Sequence, residues 1–145
     1  MLASIVFAAV LSTTTGTASI IDADTIEIRG ERIRLVGIDA PESGQKCLSP
    51  ENKFVRCGSI AANALDRWIN RNPVTCDSEG KDRYGHAVAY RSYSTAYVPD
   101  ELEARTAKVG VWAGEFIEPW LWRQGLRLSG EKPTKAMISG RFASN

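Results

Sequence analysis

Nothing in the composition of this chain points to a metal cluster of the zinc type, a membrane span or a generally basic surface. One histidine and three cysteines occur among 145 residues. Cys47, Cys57, Cys76 and His86 are scattered over some forty positions, too few and too dispersed to supply a tetrahedral zinc site readily. Charge of one sign is also missing. Eighteen basic residues against seventeen acidic ones leave a formal charge of +1, so a polyanion would have to be held by a local cluster and not by the field of the whole molecule. Long apolar runs are absent too: Leu2 to Leu11 is about ten residues, too short to cross a bilayer. There are no internal repeats and no low-complexity tracts. A chain of 145 residues is enough for one domain with its own core.

The apolar run is followed by small and polar residues, Ser12 to Ala18. Together they resemble the core and cleavage region of a secretory signal peptide, although no Lys or Arg precedes the run. A first buried strand is the alternative. We take export as the expectation, with residues 1–16 as leader, 17–128 as the domain and 129–145 as a polar tail whose apolar spot is Met137-Ile138. Cleavage would fall between Ala9 and Ala18. An odd cysteine count is unusual for an exported chain. Cys47 and Cys57 enclose a polar loop and suit a loop-closing disulfide worth about 2 to 3 kcal/mol. Free buried thiols are the alternative.

The chain is organised around Ser19–Ile28 and Ile33–Glu42, where apolar and polar residues alternate at period two about a turn at Arg29-Gly30-Glu31. A β-hairpin follows. Its acids, Asp22, Asp24, Asp39 and Glu42, fall at or beside strand ends, and Pro41 forces Ala40 into an extended conformation between Asp39 and Glu42. Arg34 stands five residues before Asp39, an odd offset, so a twist or bulge near Gly37 is needed to bring the two to one place. Residues 43–58 show no periodicity. From Ser59, read as an N-cap, Ile60, Ala61, Ala64, Leu65, Trp68 and Ile69 recur at helical spacing until Asn70-Arg71-Asn72-Pro73 stops them. Val74–Cys76 reads as a strand, Asp77–Gly85 as a charged turn region and Ala87–Tyr90 as a strand. A last helix is expected from Asp100 to Lys108, ended by Gly110. Three of the four tryptophans lie between Val111 and Arg123. They serve either as stacking platforms for bases or as anchors for a segment wrapping a small barrel, and we expect anchors.

The motifs Asp22-Ala23-Asp24-Thr25, Arg34-Leu35-Val36-Gly37-Ile38-Asp39-Ala40-Pro41-Glu42 and Asp82-Arg83-Tyr84-Gly85-His86 occur in that order. In this they resemble the staphylococcal-nuclease-like family, over roughly residues 17–123. The resemblance implies an α+β fold: a five-stranded Greek-key OB barrel with one helix after strand 3 and a C-terminal helix. It also implies an activity, Ca²⁺-dependent hydrolysis of phosphodiester bonds in single-stranded or frayed DNA and in RNA, by a monomer that is secreted or periplasmic and not inserted in a membrane. By the same resemblance Asp24, Asp39 and the Ala40 carbonyl would hold Ca²⁺, with Asp22 an acid behind them. Glu42 would be the general base, Arg34 and residue 86 would stabilise the phosphate, and Arg83 and Tyr84 would touch a neighbouring phosphate.

Two departures bear on activity. His86 stands where the family pattern has an arginine, exchanging a permanent bidentate cation for an imidazole that is mostly neutral at pH 7. Relative to the pattern, about twenty residues with a further helix are missing after Ala87-Val88-Ala89, which passes almost directly to Tyr90–Tyr97, and the loss would expose the apolar seat of that helix. A catalytically degenerate barrel that binds nucleic acid or a protein partner is therefore the alternative function.

Overall fold

In a computed structural model the described residues are 12–81, 87–89 and 97–132. Five strands close a barrel in the order β1-β2-β3-β7-β6: β1 (Ser12–Asp22), β2 (Thr25–Ile28), β3 (Glu31–Leu35), β6 (Pro73–Lys81) and β7 (Ala87–Ala89). Neighbours run antiparallel except β3 and β7, which are parallel. This is the expected five-stranded OB barrel. One long strand makes closure possible: Ser12–Thr17 of β1 pair with β6, and Ala18–Asp22 pair with β2. The β2–β3 turn uses Arg29 and Gly30, both at positive φ (53° and 81°), a geometry whose twist matches that of the flanking strands.

Alternation in β2 sends Ile26 and Ile28 inward, where they meet Ile33 of β3 and Cys76 of β6. Ala18, Ile20, Leu35, Leu65 and Val74 complete this small core. The same period of two places Asp24 on the inward side one step before Ile26, at the barrel mouth, where it is buried.

Several element boundaries differ from the sequence reading. β1 starts at Ser12, so residues 12–16, assigned above to a leader, form the ladder with β6. β6 continues to Lys81 through residues read as a turn, because they still find ladder partners in β1 and β7. The loop after Glu42 contains two short paired strands, β4 (Cys47–Leu48) and β5 (Phe54–Val55), closed by a Cys47–Cys57 disulfide with Cα atoms 5.6 Å apart; Cys76 is free and buried.

Helix α1 runs Cys57–Ile69 with Arg56 at the N-cap position, three residues before the expected cap Ser59, since the disulfide and Gly58 tie its first turn to the loop. Ser59 is thus inside the helix, and its hydroxyl donates to the Ser43 carbonyl at 2.9 Å. Asn70, left-handed at φ 49°, caps the C-terminus as its stop signal suggested. The apolar face is split: Ala61, Leu65 and Ile69 are half-buried, whereas Ile60 and Trp68 lie 54% and 82% exposed.

Helix α2 (Val98–Ala107) also starts two residues early, with Pro99 in its first turn, where a missing N–H costs nothing; Lys108 and not Gly110 supplies the left-handed cap. A third, short helix, α3 (Pro119–Arg123), was not foreseen. Residues 82–86 and 90–96, including Arg83, Tyr84, His86 and the expected gap, lie outside the described residues, as do 1–11 and 133–145. No helix among the described residues is long and apolar enough to cross a membrane.

The disulfide closes a span of ten residues, for which loop entropy gives about 2 to 3 kcal/mol. Urea unfolding of a Cys47→Ser, Cys57→Ser double variant should show a loss of that size, and added reductant should lower the midpoint of the parent but not of the variant.

Candidate active site

The first two motifs converge at the barrel mouth. Arg34 donates through a single nitrogen, Nη2, to Asp24 Oδ2 at 3.2 Å and to Asp39 Oδ1 at 3.3 Å. Asp24 Oδ2 also accepts the Ala40 amide at 3.1 Å, and its Oδ1 accepts the Thr25 hydroxyl at 2.9 Å. A buried carboxylate held this way loses little by leaving water. Gly37, at φ 88°, supplies the twist that carries Asp39 round to Arg34. Asp22 does not touch this pair; it accepts the Ser43 amide at 2.7 Å and so holds the loop that carries Glu42.

That loop is braced from three further sides. The side chain of Gln45, fully buried, accepts the Glu42 amide at 3.3 Å through Oε1 and donates through Nε2 to the Ile117 carbonyl, while its own amide donates to the Glu42 carbonyl at 2.7 Å. Gly58 packs so close that a Cβ there would sit 1.7 Å from the Glu42 carbonyl oxygen. The C-terminal segment closes the arrangement, with Leu48 and Glu115 exchanging backbone hydrogen bonds at 2.8 and 3.0 Å.

Arg123, at the end of α3, reaches the same carboxylates. Its Nη1 and Nη2 lie 3.0 Å from Asp39 Oδ1 and Oδ2, and Nη1 is also 3.0 Å from Glu42 Oε1. Burial lowers the proton affinity of this guanidinium, but the hydrogen bonds to Asp39 and Glu42 outweigh it and leave it above its ordinary range. Burial is also the largest influence on Glu42, raising its pKa above the usual carboxylate value. The Arg123 hydrogen bond opposes this, and the nearby charges of Asp22 and Asp24 add to it.

Of the predicted site residues, then, Asp24, Arg34, Asp39 and Glu42 lie together, with Asp22 and the Ala40 amide supporting them. Gln45, Gly58 and Arg123 were not singled out by sequence. The one signal available for Arg123 was its place directly after the tryptophan-rich run. Two of the three tryptophans act as anchors: Trp122 is buried, and the guanidinium groups of Arg105 and Arg127 lie 4.2 and 4.0 Å from the ring centres of Trp112 and Trp122, whereas Trp120 is 49% exposed.

The donor set suits a hard cation. Asp24 and Asp39 offer carboxylate oxygens within reach of one Arg34 nitrogen, with neither thiolate nor imidazole among them, and Ca²⁺ prefers such ligands. Among the described residues no group of three or more metal-ligating side chains forms, so backbone and water would have to complete a shell. A wide cleft between β1 and α1, lined by Asn63, Arg67 and Arg71 among others, has no part in this cluster.

Because the pKa of Glu42 is raised in the fold, its contribution to stability is present below the unfolded carboxylate pKa and is lost as pH rises through the folded value. In chelator, the melting temperature of the parent relative to Glu42→Gln should therefore fall as pH rises from below the ordinary carboxylate range to above it; melting curves of both proteins across that rise check it.

Residues 32–102 match the family described as staphylococcal nuclease homologue. The succinoglycan biosynthesis protein ExoI of Rhizobium meliloti (strain 1021) is 49% identical over 74 residues, 50% of this chain and 39% of that protein. Protein ParB of Escherichia coli is 31% identical over 144 residues, 72% of this chain and 76% of its own. A thermonuclease of Staphylococcus intermedius is 32% identical over 107 residues, 69% of this chain and 58% of its own. The chain thus spans less than two thirds of two of these three relatives. With the barrel and the Asp24–Arg34–Asp39 cluster in view, the matches show that the chain belongs to the staphylococcal nuclease homologue family.

Proposed function

We propose that the chain is a Ca²⁺-dependent nuclease that hydrolyses phosphodiester bonds in single-stranded or frayed DNA and in RNA. The observation that carries this reading is the sharing of Arg34 between Asp24 and Asp39 at the barrel mouth, with Glu42 joined to Asp39 through Arg123. Names of relatives such as thermonuclease support it.

In this reading Asp24, Asp39 and Ala40 hold the cation, which when bound neutralises charge on the phosphate. Glu42 takes the proton of the attacking water. Its raised pKa makes it a stronger base than an ordinary carboxylate, and proton transfer of this kind is worth about 10²–10⁴ in rate. Arg34 presents a planar fork to the phosphate oxygens as negative charge grows on them. Asp22 and Gln45 hold Glu42 in place through the loop backbone. His86, Arg83 and Tyr84 would complete the substrate contacts as the third motif suggests. Among the described residues the barrel mouth offers carboxylates and arginines to phosphate and no side chain set to read base edges.

We propose also that the chain works as a monomer in a secreted or periplasmic setting, free of the membrane. The Cys47–Cys57 disulfide supports the choice of compartment, because such bonds persist in oxidising surroundings. A leader ending before Ser12 would leave β1 whole.

Denatured DNA incubated with Ca²⁺ should be cleaved, and chelator should stop it. Millimolar Ca²⁺ should raise the melting temperature by mass action, and Asp39→Asn should abolish both effects. Glu42→Gln should keep the melting shift while losing about 10²–10⁴ in rate. No metal-dependent cleavage and an unchanged melting curve in the parent would sink the assignment.

A further inference from the structure

Arg123 belongs to none of the three motifs, yet it makes more contacts with the proposed catalytic carboxylates than Arg34 does. We infer that Arg123 is a phosphate-binding residue of the active site, working opposite Arg34 across Asp39; this rests on the nuclease reading above.

Three observations carry it. First, the two guanidinium groups converge on one atom: Arg34 Nη2 and Arg123 Nη1 lie 3.3 and 3.0 Å from Asp39 Oδ1. Each side chain keeps 38% of its surface exposed, so the pair forms an open, doubly cationic edge over the carboxylates. Second, the fork of Arg123 is already laid out for a two-oxygen anion. It holds Asp39 through both nitrogens, and a phosphodiester presents two non-bridging oxygens to such a fork in much the same way, so phosphate can replace Asp39 as its acceptor. Third, the charge balance favours it. Asp22, Asp24, Asp39 and Glu42 set four carboxylates about the mouth, and Arg34 together with a divalent cation would still leave one negative charge facing an incoming anion.

The position is built to last. Arg123 follows Trp122, buried in the C-terminal segment, whose amide donates to the Glu118 carbonyl at 2.9 Å. Pro119 opens the helix from a buried site, and the Arg127 guanidinium covers the Trp122 ring. The side chain that reaches the site thus comes from a packed element 81 residues beyond Glu42. The third motif ends in His86, so Arg123 adds beside Arg34 a permanent cation that does not rely on the protonation of an imidazole.

The test is binding of a fluorescent phosphorothioate oligothymidylate in Ca²⁺ at low salt, followed by anisotropy. Arg123→Met should weaken binding about 10- to 100-fold, the loss expected for charge-assisted hydrogen bonds. Arg123→Lys, which keeps the charge but not the fork, should fall between that variant and the parent. Arg67→Met on α1, the same change in net charge away from the carboxylates, should alter binding less than about twofold. The Ca²⁺-induced melting shift of Arg123→Met should equal or exceed that of the parent, because a competing cation has been removed from Asp39. Equal oligonucleotide binding by parent and Arg123→Met overturns the inference alone. Loss of both binding and the Ca²⁺ shift overturns it in favour of a structural brace for Asp39. If Arg123→Met does not fold, Arg123→Lys decides: binding as tight as the parent's overturns the inference. A parent that does not bind the probe overturns it together with the nuclease reading.

Discussion

A carboxylate buried at the mouth of the barrel, Asp24, is the constraint on which the site depends. Only 2% of its surface is exposed, and an uncompensated charge at such depth would cost several kcal/mol. Its partners come from three places in the chain: Thr25 beside it, Arg34 from the paired strand and the Ala40 amide from the loop beyond. Satisfying one buried group therefore brings the loop after β3 back over the barrel end. Once Ala40 is held there, Asp39 lies against Arg34 and Glu42 follows two residues later. The acids need not find one another; the hydrogen bonds of Asp24 assemble them.

The second half of the arrangement comes from parts of the chain that share no motif with the first. Glu42 is held by Gln45, whose other end is fixed by the carbonyl of Ile117, and by a helix start at which Gly58 leaves no room for a side chain. The disulfide locks that helix start to the loop. The C-terminal segment pairs with Leu48, buries Trp122 and delivers Arg123. Trp112 and Trp122 lie under arginines and seat this segment, while Trp120 stays exposed.

Two of three misreadings share a cause. Ser59 reads as an N-cap, Gly110 as a C-cap and Asp77 as the start of a turn, each on local chemistry that is sound in isolation. For Gly110 the rival is local, since Lys108 takes the left-handed cap first through bonds to Ala104 and Arg105. For Ser59 and Asp77 a contact distant in sequence overrides it: a disulfide and a glycine packed on a loop move the helix start, and ladder partners in β1 and β7 draw β6 out to Lys81. The outward stripe of Ile60 and Trp68 is of the same kind, since helical period shows that residues share a face without showing which face meets the sheet.

What the sequence determined by itself was whatever repeats at short range. The period of two in β2 and β3 marked the hairpin and set Ile26 and Ile28 on one face of their strand, because pleating admits no other alternation; that this face is the core is seen in the fold. The resemblance of the motifs to the family pattern named Asp24, Arg34, Asp39 and Glu42, and Arg34's odd offset from Asp39 already called for the twist that Gly37 provides. Tertiary structure decided the rest: that β1 bends across two neighbours to close the barrel, that Gln45 and Gly58 fix the loop of Glu42, and that Arg123 enters the site from 81 residues away. Such contacts have no period and no fixed spacing. They exist because a closed barrel leaves one end open, and the segments that cover that end are chosen by packing and by unsatisfied charge, which no short window of residues can display.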